Sequence, residues 1–194
     1  MKQIEHFFPT PIASIRDVDM AEKMLPIAKK YLADKKHLSN EWGYKNTYKS
    51  KGGLNEYKDF DEFTNWIHDQ ARWYLNELGY KCPNEFSTQI FASEMLEGDK
   101  HGPHTHPNSI LSGVFYLQAP EGSSKILFND PKPYRKYIDL EVENNTLHNY
   151  HQVFFNAEKG LLVLWQSWIE HEVPENKSQE GRITLVFNLG DKPL

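Results

Sequence analysis

Residues 110–129 read ILSGVFYLQAPEGSSKILFN: an apolar, β-branched and aromatic run, a break of Pro, Gly and Ser, and a second apolar run. So short a break has no room for the helix that joins two parallel strands, which makes the connection antiparallel in character. The same texture fills the chain from Phe86 onward. FSTQIFASEML (86–96), YIDLEV (137–142), HQVFFNA (151–157), LLVLWQ (161–166) and RITLVFNLG (182–190) alternate with breaks such as EGD, NDPKP and EKG. Strands at this spacing, with no helix-forming segment between them, predict a sandwich or jelly roll.

The first eighty residues have a different period. Met20, Ala21, Met24, Leu25, Ala28, Tyr31 and Leu32 recur at three- and four-residue steps, with Asp17 or Asp19 as the N-cap and Pro26 as a kink. After the polar loop YKSKGGLNEYKD, a second stripe of Phe60, Phe63, Ile67, Ala71, Tyr74, Leu75 and Leu78 stops at Gly79. Both stripes are core, not a cofactor box. The expectation is one domain over 1–194: helical support in 1–80 packed on one sheet of a jelly-roll core in 86–190.

Composition excludes several partners. A net charge of -5 and a pI near 6.0 disfavour a nucleic-acid binder, and the densest basic spot, KYLADKKHLS, carries its own Asp. Cys82 is the only cysteine, so neither an internal disulfide nor a thiolate metal cluster is available, and a reducing cytoplasmic setting is expected. MKQIEHFFPT lacks an apolar signal core, and no run reaches the roughly 18 apolar residues of a membrane span.

Three of the nine histidines, His101, His104 and His106, crowd the entrance to the strand at 110–118. Residues i and i+2 of an extended segment share a side, so His104 and His106 can face one ion; imidazole pairs suit Fe, Zn, Cu or Ni. An isolated HxH is more often a surface loop. His171, at the end of a later strand, changes the balance, because jelly-roll strands distant in sequence are neighbours in space and a third imidazole completes a ligand face with open positions. The gap to Arg182 is read as a turn onto a neighbouring strand, with the guanidinium deeper in the barrel. Arg182 enters the apolar run ITLVFNL, where a lone charge needs an anion, either a glutamate or a small carboxylate clamped together with Thr184.

HxH, SGVFYL, the WxxH context of His171 and the Arg182-Ile-Thr184 run resemble the Fe(II)/2-oxoglutarate-dependent oxygenases of the double-stranded β-helix fold, distantly like prolyl hydroxylases. Phage and bacterial members with an HxHPNSxLSGVYYL-like core are similar over most of the chain, including FFPTPI and NTYKSKGGLN. The resemblance implies Fe(II), 2-oxoglutarate and O2, with hydroxylation of an unidentified substrate and release of succinate and CO2. It assigns His104, His106 and His171 as ligands, Arg182 to the distal carboxylate, and Tyr116, the second aromatic of VFYL, as an aid to it. Ser109, Ser112 and Asn188 are weaker candidates. His106 stands where the family carries a carboxylate. His101, Glu94, Glu170 and Asp130 are therefore alternatives for the third ligand, with His101 disfavoured because Gly102-Pro103 breaks the strand. His6, His37, His68, His148 and His151 have structural or surface roles, and Trp165 and Trp168 belong to core or pocket wall. Two other readings stay open: a three-histidine cupin-type dioxygenase that takes no 2-oxoglutarate, and a non-catalytic β-sandwich binding module. The oligomeric state is also open, a homodimer being one form.

Overall fold

A computed structural model describes residues 3–5, 7–34, 53–132, 141–146 and 148–191. Nine strands and two α-helices are present among them: β1 (Ile12–Arg16), α1 (Val18–Ala33), α2 (Asp61–Glu77), β2 (Phe86–Met95), β3 (His101–His104), β4 (Leu111–Gln118), β5 (Ile126–Asn129), β6 (Gln152–Phe155), β7 (Leu161–Gln166), β8 (His171–Val173) and β9 (Arg182–Asp191). Every strand pairing is antiparallel. One sheet runs β1-β7-β4-β9-β2 and the other β3-β8-β5-β6.

Alternation along the five-stranded sheet separates two cores. Leu111, Phe115, Leu162, Leu164, Ile183, Leu185 and Phe187 face the helices, whose Met24, Ala28, Phe63, Ile67 and Ala71 complete that cluster. Val114, Tyr116, Val163 and Trp165 face the other way and meet Ile126 and Phe128 of the four-stranded sheet. The helices thus support one sheet from outside, while the two sheets enclose a second, smaller core between them. Gly113 belongs to the helix-facing side because a Cβ there would lie 2.2 Å from the Phe187 ring.

Local signals explain the helix ends. The Asp17 carboxylate accepts the Met20 N–H at 2.8 Å, capping α1, and Pro26 lies inside that helix. Beyond α2, Gly79 adopts φ +75°, while Gly79 N–H and Tyr80 N–H close back on the Asn76 and Leu75 carbonyls. The expected strand at 137–142 and the NTYKSKGGLN segment fall mostly outside the described residues; Glu141 and Val142 are described and are not in a strand. Strands β1, β3 and β8 carry too few alternating residues to announce themselves. No helix among the described residues is long and apolar enough to cross a membrane.

Candidate metal centre and anion pocket

The histidines converge through strand register. His104, the last residue of β3, lies opposite His171, the first of β8, and His171 also pairs with Phe128 of β5. His106 lies past the end of β3, where its backbone N–H donates to the Ser167 carbonyl at 3.0 Å. The convergence of His104 and His106 therefore owes less to strand alternation than to this anchored loop. One ring nitrogen of each of the three lies within 4.8 Å of the others, and among the described residues no carboxylate joins the group. Glu170 instead accepts from Asn129 Nδ2 at 2.8 Å, and Asp130 accepts from Lys132 N–H.

The chemistry of these donors fits a divalent metal. His104 Nδ1 lies 2.8 Å from the Gly102 carbonyl and His171 Nδ1 3.0 Å from the Ile169 carbonyl. A carbonyl can only accept, so both rings carry their proton on Nδ1 and present an Nε2 lone pair. His104 Nε2 is buried without a protein partner. His106 Nε2 lies 3.2 Å from His171 Nε2, a contact that an ion replaces once the His106 proton sits on Nδ1. Burial pushes the His171 imidazolium down to about 3, with His104, His106 and His101 adding to the effect, and that of His106 to about 4, with His104 adding to it. Burial likewise lowers His104. All three are neutral at pH 7, so a metal displaces no imidazolium proton.

The expected strand break at Gly102-Pro103 is not found: β3 runs through it from His101 to His104 with a shift of register. A bulge between His101 and His104 changes the strand parity, and the two rings stack at 3.8 Å with 22° between their planes. Burial and the adjacent histidines lower His101 to about 4. It supports the His104 ring and is not a fourth member of the ligand group.

These depressed values fix a pH dependence. In the unfolded chain the imidazoles titrate near 6.5, whereas in the fold they resist protonation to about 3 to 4. The unfolded state binds more protons across that window, so stability of the metal-free protein falls as pH drops below 6.5. The expected loss is up to about 1 kcal/mol per pH unit for each such imidazole. Urea midpoints of chelator-treated protein between pH 7.5 and 5 measure it; a flat profile contradicts the burial of neutral rings.

Arg182 and His171 lie on different sheets. β9 pairs with β2 and β4, and β8 with β3 and β5, which corrects the expected turn onto an adjacent strand. The two residues instead face each other across the interior and line one cavity with His104, Ser93, Met95, Trp165 and Thr184. Arg182 is 2% exposed, its Nη1 donates to Met95 Sδ at 3.1 Å, and its guanidinium lies over the Tyr116 ring at 4.8 Å. It has no ion pair among the described residues, so the expected alternative of a structural glutamate partner is not realised there. Thr184 Oγ1, Tyr116 Oη, Trp165 Nε1 and Arg182 Nε are buried without partners; with His104 Nε2 they make five of the nine such side-chain atoms among the described residues. Stranded polar atoms are costly to a fold; all of these residues but Tyr116 line the one cavity, where a polar ligand would satisfy them.

Several residues of this wall escaped sequence reasoning. Ser93 lies opposite Thr184, and Met95 opposite Arg182, in the β2–β9 register. The signal was the alternation of β2, whose Ile90 and Ala92 face the helices and so turn Ser93 and Met95 inward. Ser112 and Asn188 form a buried chain, with Ser112 Oγ 2.7 Å from Ser167 Oγ and 2.8 Å from Asn188 Oδ1. They brace the segment carrying His106 and do not line the cavity. Ser109 is likewise absent from its walls. Trp165 is pocket wall, whereas Trp168 is 53% exposed and hydrogen-bonds Gln166.

Fold and site together fit a protein that binds a divalent metal beside a small anion. The chain belongs to the family described as "Putative 2OG-Fe(II) oxygenase", whose sequence model matches residues 89–188, and it is a 2-oxoglutarate/Fe(II)-dependent oxygenase. No curated protein matches the sequence. Solved structures share the fold at low identity. A Pseudomonas putida prolyl-4-hydroxylase is 13% identical with a TM-score of 0.66, covering 95% of this chain and 94% of its own. HygX from Streptomyces hygroscopicus, solved with nickel and 2-oxoglutarate bound, is 10% identical with a TM-score of 0.63, covering 94% and 84%. The non-heme α-ketoglutarate-dependent epimerase SnoN of nogalamycin biosynthesis is 13% identical with a TM-score of 0.67, covering 94% and 77%.

Proposed function

We propose that His104, His106 and His171 hold Fe(II), that Arg182, Thr184 and Tyr116 hold 2-oxoglutarate, and that the enzyme hydroxylates a C–H bond of a second substrate. The two facing sheets are read as the double-stranded β-helix of a single oxygenase domain over 1–194. The observation that carries the assignment is the cluster of four buried, unpartnered polar atoms, of His104, Trp165, Arg182 and Thr184, on one cavity that His171 also lines. The chemistry the iron supplies when bound is reductive activation of O2, coupling conversion of 2-oxoglutarate to succinate and CO2 with transfer of one oxygen atom into the substrate.

The protein's own residues do the rest. Neutral imidazoles present lone pairs on a fixed face, with Gly102 and Ile169 carbonyls holding two of them in the productive tautomer. Arg182 presents Nε toward an anion while Met95 Sδ engages Nη1 and Tyr116 stacks beneath the plane. Thr184 adds a hydroxyl donor. Val114, Ile126 and Val186 line the cavity between these groups and keep water from the reacting centre.

Three neutral ligands leave the site one unit more positive than a histidine-carboxylate set, which favours a dianionic cosubstrate. The same feature gives the three-histidine dioxygenase that takes no 2-oxoglutarate as the second reading. Succinate formation decides between them: protein with Fe(II), 2-oxoglutarate and air is expected to release succinate slowly even without its second substrate, and to stop when iron is withheld. Iron-dependent O2 consumption without succinate favours the second reading. His106→Asp is expected to keep iron within about tenfold of the parent affinity, since a carboxylate ligates Fe(II) as well as an imidazole. Metal titration checks this; loss of binding shows that position 106 does not face the ion.

A further inference from the structure

The reading above leaves one donor in the cavity unused. Trp165 is 1% exposed, and its Nε1 is buried with no partner. Its ring meets His171 edge-on at 4.7 Å and Phe128 at 5.1 Å, and the residue lines the same cavity as Arg182 and Thr184. Packing alone does not call for an indole here, because a phenyl ring fills an apolar core without stranding an N–H; a buried indole N–H ordinarily finds an acceptor.

Register separates this donor from the arginine. Trp165 lies opposite Ser112 of β4, and Thr184 opposite Tyr116 of the same strand. Four residues of β4, about 14 Å of strand, therefore lie between the two donors' backbone positions. Their backbone positions are thus spread over the length of a short diacid rather than over one carboxylate group. Val114 and Val186 line the cavity between them and offer no polar partner.

We infer that the Trp165 indole N–H is a cosubstrate-binding donor for the carboxylate nearest the histidines, with Arg182 and Thr184 taking the opposite carboxylate. The cavity is thus built for a short diacid, recognised by a hydrogen-bond donor at each end. This rests on the reading of the cavity as the 2-oxoglutarate site and assigns that molecule's orientation to residues of this chain.

The test is titration of 2-oxoglutarate into Ni(II)-loaded parent protein and Trp165→Phe, with nickel affinity and melting temperature measured on both. A lost hydrogen bond to a charged acceptor predicts 2-oxoglutarate binding weaker by about ten- to a hundredfold, with nickel affinity unchanged. Binding by Trp165→Phe within twofold of a parent that does bind overturns the Trp165 assignment and leaves the cosubstrate site standing. A nickel-loaded parent that binds no 2-oxoglutarate overturns both. Should Trp165→Phe not fold, parent protein labelled with 15N-tryptophan and loaded with Zn(II) decides. The most exchange-protected indole proton is expected to move downfield by about 1 ppm or more on adding 2-oxoglutarate, as a new hydrogen bond to an anion requires; an unmoved signal at saturation overturns the inference.

Discussion

Purified His171→Leu is expected to bind iron at least about a hundredfold more weakly than the parent, because removing a ligand exceeds the ten- to hundredfold loss usual for groups behind one. Leucine is the informative substitution. His171 is 3% exposed and contacts Trp165 and Phe128, so alanine would open a cavity in the inner core and mix a packing defect with the loss of a ligand. Leucine keeps most of that volume and removes a buried polar ring. The metal-free variant is therefore expected to melt within a few degrees of the metal-free parent. Parental iron affinity in His171→Leu, measured by chelator competition, would remove His171 from the centre.

Arg182→Met is expected to abolish 2-oxoglutarate binding at millimolar concentration while sparing iron. The cavity then holds a carboxylate with no cation to meet it, whereas Arg182→Lys keeps the charge and loses the paired donors. Lysine is expected to weaken binding by about ten- to a hundredfold, the equivalent of one charge-assisted hydrogen bond. The metal-free structure adds a second expectation. Arg182 has no ion pair among the described residues, so its charge is carried at a cost that methionine removes, and the metal-free Arg182→Met protein is expected to be at least as stable as the parent. A structural arginine predicts the opposite pair: a lower melting temperature with cosubstrate affinity intact. Both quantities come from one preparation, by thermal unfolding without ligand and by titration with 2-oxoglutarate.

The sequence was most legible where one face repeats. Short apolar runs between Gly, Pro, Asn and Asp breaks announced β2, β4, β7 and β9, and the Phe63–Leu75 stripe announced α2, because each buries an apolar row against the helix-side core. It was least legible in β1, β3 and β8, which have only three to five residues each and draw their identity from partners remote in the chain. That loss had a direct cost at the site. The opposition of His104 and His171 is a β3–β8 register, and the stacking of His101 on His104 is a bulge; neither is a local pattern. Histidine chemistry named three candidate ligands, but not the Gly102 and Ile169 carbonyls that set the tautomers of His104 and His171. An arginine opening an apolar strand was visible, whereas the sulfur of Met95 beside it follows only from the β2–β9 register. Trp165 was read as wall because a sequence does not show whether an indole N–H has found an acceptor.

The central claim is that one cavity holds both Fe(II) and 2-oxoglutarate in direct contact. Anaerobic addition of 2-oxoglutarate to the Fe(II)-loaded parent, followed by visible absorption, tests it most directly. A weak metal-to-ligand charge-transfer band is predicted to rise with saturation, to be lost in His171→Leu, and to require far more 2-oxoglutarate in Arg182→Lys. Iron bound at full occupancy with no new absorption at saturating 2-oxoglutarate would contradict it.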